Sequence, residues 1–162
     1  MTTAYLCLGG NVGDPRATLA RARALLARAG LTLVRTSALY RTPPWGPVPQ
    51  GDYLNQVIEV SSPLGALSLL HLALRVERML GRDRSREERY GPRPIDIDIL
   101  AFGTERHATP DLQLPHPRLM ERAFALVPLA EIAPGLVIEG VRVADALARL
   151  DQAGIVRIDA DE

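Results

Sequence analysis

The apolar positions change period several times along the chain, and each change marks an element. Ala4-Tyr5-Leu6-Cys7-Leu8 is a short continuous apolar run with the length of a buried strand, ended by Gly9-Gly10-Asn11-Val12-Gly13. Asp14-Pro15 reads as an N-cap followed by proline at the first helical position, and Leu19, Ala22, Leu25, Leu26 and Ala29 then recur at helical spacing until Gly30. Leu31 to Arg41 alternates and is rich in β-branched residues, and Tyr53 to Ser61 does the same with Leu54, Val57, Ile58 and Val60. Between these two strands, the prolines of Thr42 to Asp52 exclude a regular element and leave a long loop, of the kind that serves as a lid or binding loop. Ser62-Pro63 introduces a second helix over Gly65 to Leu80, with Leu67, Leu70, Leu74 and Val76 on or near one face and Gly81 as its stop. Arg82 to Arg93 carries little apolar content and is expected to be a mobile loop. Pro94-Ile95-Asp96-Ile97-Asp98-Ile99-Leu100-Ala101-Phe102 returns to strict alternation and predicts a strand. A hairpin near Glu105 to Gln113, a short helix after His116-Pro117 and another near Val143 to Leu150 complete the pattern.

The order β-α-β-β-α-β predicts an α+β, ferredoxin-like fold, with a four-stranded antiparallel sheet, helices on one face, and the C-terminal hairpin and short helices added to it. A length of 162 residues suits a single domain over 1–162. One cysteine, Cys7, leaves no disulfide framework, and neither a leader pattern nor a membrane-length apolar run is found, so a cytoplasmic protein is expected.

Charge changes the picture more than composition does. The 19 basic and 19 acidic residues cancel, and every basic residue is arginine. Seven arginines against four acids between Arg75 and Arg93 make that window +3 and the remainder −3. A cationic island in a neutral chain argues against general adhesion to nucleic acid or membrane and for a local anion site.

Candidate chemistry lies where that island meets the last predicted strand. Alternation places Asp96 and Asp98 on one strand face and the isoleucines on the other. Two neighbouring carboxylates on an apolar strand repel each other unless a cation or a proton intervenes, and Mg²⁺ typically combines one or two carboxylates with phosphate oxygens and water. Two solvated aspartates on a half-exposed edge strand are the alternative. Arg82, Arg84, Arg86, Arg89 and Arg93 supply forked donors matched to phosphate, and Gly91-Pro92-Arg93-Pro94 stiffens the approach to the carboxylates. A solvated charged loop is the plainer reading of that run. Trp45, Tyr53, Tyr90 and Phe124 lie in or beside loops, suited to stacking on a flat heterocycle, although core packing equally suits Tyr53 and Phe124; Tyr5, Tyr40 and Phe102 read as core. Asn55 shares a strand face with Tyr53 and could bond a ring edge or cap a strand end. His116, held between two prolines, could donate to phosphate or be structural. The glycine turn lacks the spacing of a P-loop or dinucleotide motif and reads as a close-approach turn.

Together these segments resemble the 6-hydroxymethyl-7,8-dihydropterin pyrophosphokinase family of folate biosynthesis. The matching pieces are Leu8 to Asp14, Arg41-Thr42-Pro43-Pro44 with Asp52-Tyr53-Leu54-Asn55, Glu77 through Arg82, Arg89 through Ile99, and Leu114-Pro115-His116-Pro117 through Arg122 and Phe124, in family order over residues 5 to about 134. The resemblance implies transfer of pyrophosphate from ATP to the hydroxymethyl group of a reduced pterin, giving AMP and the pterin diphosphate. It implies two Mg²⁺ ions on Asp96 and Asp98, and a pterin pocket of Thr42, Pro44, Trp45 by its backbone, Tyr53, Asn55 and Phe124. Around ATP it places Glu77, Arg82, Arg84, Arg89, Tyr90, Arg93, His116 and Arg122, with Arg82, Arg93, Asp96 and Asp98 catalytic. The partners implied are ATP and the pterin alone, on a monomer. Tyr90 stands where tryptophan is common, and Leu74, Asp111 and Gln113 depart from residues near the nucleotide in some relatives. Rival readings are a simple kinase or nucleotidyltransferase, a ferredoxin-like RNA-binding module, and a regulatory small-molecule domain. The RNA module would need an RNP1-like aromatic run, which is lacking.

Overall fold

The computed structural model describes residues 1–158. In chain order it contains β1 (Thr2–Gly10), α1 (Pro15–Arg28), β2 (Thr32–Thr36), β3 (Leu39–Thr42), β4 (Tyr53–Ser62), α2 (Ala66–Met79) and β5 (Asp96–Phe102). There follow the small strands β6 (His107–Ala108) and β7 (Gln113–Leu114), α3 (Ala123–Ile132), β8 (Val137–Ile138), β9 (Val141–Arg142), α4 (Val143–Ala148) and β10 (Val156–Ile158). The central sheet is antiparallel throughout, in the order β10-β3-β4-β1-β5, with β2 also on β4. With β2 and β3 taken as one interrupted strand, this is the ferredoxin-like arrangement, extended at one edge by β10, which periodicity did not signal.

The interruption has a local cause at Ser37. Its N–H donates to the Val57 carbonyl while its hydroxyl accepts from the Val57 N–H at 3.0 Å, so a side chain replaces a rung of the ladder. The next amide, Ala38, turns away to the Glu131 carboxylate of α3. One predicted strand thereby becomes two.

Asp14 caps α1 as expected, accepting from the Ala17 N–H with Pro15 in the first turn. The second helix also forms where the pattern places it, but its buried stripe is not Leu67, Leu70 and Leu74. Ala66, Leu69, Leu72, Ala73, Val76 and Glu77 face the sheet, while Leu67 is 49% exposed. The helix is leucine-rich on both stripes, so spacing alone does not choose between them; docking on β5 does.

Leu6, Leu8, Ile58, Val60, Ile95, Ile97 and Ile99 meet α1 and α2 on one face of the sheet. On the other, Cys7, Val57 and Leu100 pack against Leu126 and Leu129 of α3 and Val143 of α4. The late helices thus form a second covering layer, and each fully buried leucine in these layers contributes about 1.5–3 kcal/mol. Phe102 and Tyr40 are buried, as their placement suggests; Tyr5 is half-buried against the second layer. No helix among the described residues is long and apolar enough to cross a membrane.

Candidate active site

A cavity of about 230 Å³ opens at the end of the sheet where β1 finishes, β4 begins and β5 begins. Antiparallel pairing brings these three strand ends together: Gly9 lies opposite Asn55 on one side and Asp96 on the other. Neither Gly9 nor Gly10 leaves room for a larger residue, since a Cβ at Gly9 would fall on the Asn55 amide and one at Gly10 on the Pro94 carbonyl.

Asp96 and Asp98 project into this cavity from β5, while Ile95, Ile97 and Ile99 are buried behind them. Their surroundings differ. Asp96 is balanced by Arg82, whose Nη1 donates at 2.9 Å, and by Arg93 at 3.7 Å. Among the described residues Asp98 has Arg122 alone as an ion-pair partner, at 3.9 Å, and burial together with the Asp96 charge pushes its carboxyl up to about 7. Arg122 is itself incompletely used: its Nε is buried with no acceptor among the described residues, and its guanidinium lies over the Trp45 and Phe124 rings at 5.8 and 5.5 Å. An undercompensated carboxylate pair beside an unsatisfied guanidinium suits a ligand bringing positive charge to the first and oxygen acceptors to the second. A divalent cation with a phosphate group has that chemistry. No cluster of three or more His, Cys, Asp or Glu exists among the described residues, so oxygens from outside the chain would complete such a coordination shell.

The arginine segment is exposed at Asp83, Arg84, Ser85, Arg86, Glu88 and Arg89, but its first residue is not. Arg82 is 5% exposed and bonded to three carboxylates: Glu77 at 3.1 Å, Glu87 at 2.8 Å and Asp96. A single 3₁₀ turn over Arg84–Arg86 follows, capped by Asp83. Arg82 is therefore held beside the start of β5 by these three carboxylates. Glu77 is the other correction. It is 1% exposed, with Oε2 accepting from the Ile97 N–H at 2.7 Å and Oε1 from Arg84 at 2.9 Å, so it fastens α2 to the aspartate strand and does not face the cavity. Burial raises its pKa first, Asp96 second.

On the opposite wall, the Asn55 amide donates to Thr42 Oγ1 at 2.6 Å, both residues being buried. Tyr53 donates to the Gly91 carbonyl at 2.9 Å, and burial raises its pKa. Trp45 contributes its ring and not its backbone alone: it faces Phe124 at 6.0 Å between centroids, tilted by 55°. Tyr90, at φ 60°, receives hydrogen bonds on its hydroxyl from Arg89 and Arg118, which lower its pKa. His116 Nδ1 accepts from the Arg118 N–H at 3.2 Å, and burial with Arg122 nearby depresses its pKa to about 4. Its ring is neutral near pH 7, with a proton on Nε2.

The cavity wall brings together Thr42, Trp45, Tyr53, Asn55, Arg82, Arg84, Tyr90, Arg93, Asp96, Asp98, His116, Arg122 and Phe124; Pro44, Glu77 and Arg89 lie outside it. Sequence reasoning did not select Cys7, Gly9 or Pro43, which also line it. Cys7 follows from strand alternation once β1 is set beside β5, because it pairs with Asp98.

Residues 5–134 match the family described as 7,8-dihydro-6-hydroxymethylpterin-pyrophosphokinase. A 2-amino-4-hydroxy-6-hydroxymethyldihydropteridine pyrophosphokinase of Methylorubrum extorquens is 50% identical over 98% of this chain and 100% of its own length. The protein of that name from Bacillus subtilis is 41% identical over 94% of this chain and 87% of its own. Among solved structures, Plasmodium falciparum HPPK-DHPS, wild type with SDX-DHP, superimposes with a TM-score of 0.68 at 15% identity over 92% of this chain. The chain spans 43% of that longer protein, and the likeness there is one of fold.

Proposed function

The chain belongs to the 7,8-dihydro-6-hydroxymethylpterin-pyrophosphokinase family, and from that membership we infer how its own residues divide the reaction. The protein is a pyrophosphokinase of folate biosynthesis, transferring pyrophosphate from ATP to the hydroxymethyl group of 6-hydroxymethyl-7,8-dihydropterin. In that transfer the hydroxymethyl oxygen forms a bond to the β-phosphorus, the bond from the β-phosphorus to the α,β-bridging oxygen breaks, AMP leaves, and the hydroxyl proton passes to solvent.

The observation that carries the division of roles is the asymmetry of the aspartate pair, Asp96 matched by Arg82 and Arg93 and Asp98 by the more distant Arg122 at 3.9 Å. Asp96 and Asp98 would hold two Mg²⁺ ions, which neutralise the polyphosphate and polarise its oxygens when bound. Arg84, Arg93 and Arg122 would take phosphate oxygens, with neutral His116 donating from Nε2. Arg82, fixed by Glu77 and Glu87, would act as a stationary cation at the reacting centre. Arg89 and Tyr90 would close the outer side of the ATP pocket. Tyr53 and Phe124 would sandwich the pterin, its edge bonded by Asn55, Thr42 and the backbone at Pro44 and Trp45. Glu77 serves the ATP side indirectly, by holding Arg82, Arg84 and the Ile97 amide. The enzyme would work as a single-domain cytoplasmic monomer, with no nucleic-acid, membrane or protein partner.

Incubation with ATP, Mg²⁺ and 6-hydroxymethyl-7,8-dihydropterin tests this reading by product. AMP and a pyrophosphorylated pterin are expected. ADP would indicate a simple kinase, and free pyrophosphate a nucleotidyltransferase.

A further inference from the structure

The glycine turn after β1 has no task in the reaction as divided above, yet its asparagine is among the most connected side chains around the cavity. Asn11 Nδ2 donates to Gln50 Oε1 at 2.9 Å and to the Gly51 carbonyl at 3.0 Å. Its Oδ1 accepts from the Arg93 N–H at 3.0 Å, and its own N–H donates to the Arg93 carbonyl at 3.1 Å. The donor end of one amide is thus given to the proline loop and the acceptor end to the arginine segment. Gln50 extends the link, its Nε2 donating to the Tyr90 carbonyl at 2.5 Å.

An asparagine that merely completes a turn bonds residues two or three positions away. The side-chain partners of Asn11 lie 39, 40 and 82 residues away along the chain. Gly10 makes this reach possible, because only a residue without Cβ lets the turn approach the Pro94 carbonyl. Gly46 does the same from the other side: at φ +96° it packs on the Tyr90 ring, where a Cβ would clash.

We propose that Asn11 is a positioning residue for pyrophosphoryl transfer: its amide joins the pterin-side proline loop to the ATP-side arginine segment, so that occupancy of either pocket steadies the wall of the other. Displacing either loop breaks hydrogen bonds shared with its neighbour. Ordering a loop costs conformational entropy, and a ligand that has ordered one loop lowers that cost for the ligand of the second. The proposal rests on the pyrophosphokinase reading.

Calorimetry on the full chain with saturating Mg²⁺ tests it. Affinities for α,β-methylene-ATP, which cannot release AMP, and for 6-hydroxymethylpterin are measured singly and with the other ligand saturating. In the wild-type protein each ligand should tighten the other by at least about fivefold, and by the same factor in both directions. Asn11→Asp keeps the acceptor for Arg93 but sets a carboxylate oxygen against the Gly51 carbonyl, and the factor should fall below about twofold. Gln50→Glu keeps the acceptor for Asn11, removes the donor to Tyr90 and should give an intermediate factor; it carries the test if Asn11→Asp does not fold. Unchanged coupling in a folded variant, or none in the wild type, overturns the assignment of Asn11. A folded wild-type protein that binds no pterin at all would instead overturn the pyrophosphokinase reading.

Discussion

Asp98 faces a conflict that Asp96 does not. Arg82 and Arg93 offset the charge of Asp96, whereas burial and that neighbour leave Asp98 titrating near 7. Asp98→Asn should lower AMP release about 100-fold or more at every Mg²⁺ concentration, while the metal-free melting temperature stays level or rises because a poorly compensated charge has gone. Steady-state assays and calorimetry on one preparation check both parts. Tyr53→Ala should raise the pterin KM about tenfold, the scale of one lost ring contact, whereas Tyr53→Phe, which loses only the bond to Gly91, should stay within about twofold. His116 gives a pH signature. Its folded pKa of about 4 lies below the ordinary 6.5, so as pH falls through that window the unfolded chain takes up the proton first and stability is lost. His116→Gln should therefore lose less melting temperature than wild type between pH 7 and pH 4.5. The residue types here were legible in the sequence, since Asp-Ile-Asp after an arginine run restricts the chemistry. Their pairing was not, because Arg82 meets Glu77 and Asp96 only when α2 lies along β5.

At the scale of elements, boundaries followed the periodicity closely where caps and stops were explicit. Asp14-Pro15 starts α1, and Gly81 follows α2 at φ +100°. Periodicity does not settle the buried stripe of α2, because two leucine stripes compete and the one that docks includes an acid, Glu77, that hydropathy alone would place in solvent. That acid ties the helix to the strand. Glu77→Ala should destabilise the fold by about 3 kcal/mol, read by denaturant titration, since it leaves Arg82 and Arg84 short of counter-charge and the Ile97 amide unpaired. The late strand β10 was invisible to periodicity, being three residues long, and its partner β3 stands more than a hundred positions earlier. It braces the strand that ends in Thr42, and Gly154, at φ +81°, packs beside Pro43. Gly154→Val should cost about 1–3 kcal/mol in the same titration and raise the KM for pterin more than that for ATP.

At the scale of the molecule, the neutral sum of charges conceals a local arrangement. Arg82 and Arg93 of the +3 window reach Asp96, and the cavity holds both signs within a few ångströms. The exposed share of that charge, Arg84 above all, should attract ATP electrostatically, so kcat/KM for ATP should fall between 50 and 500 mM salt more steeply than kcat/KM for pterin. Equal slopes in stopped-flow or steady-state measurements would remove the steering role. By itself the sequence determined the order of the main elements, the ferredoxin-like class and most of the residue types that meet at the cavity, because periodicity, caps and residue chemistry are local properties. Only the tertiary structure decided that Arg82 is buried, that Glu77 is a fastening and not a lining residue, that α3 covers the second face of the sheet, and that Asn11 spans both loops. Each of these depends on which distant segments antiparallel pairing and helix docking bring within hydrogen-bonding range, and that range is set in space and not along the chain.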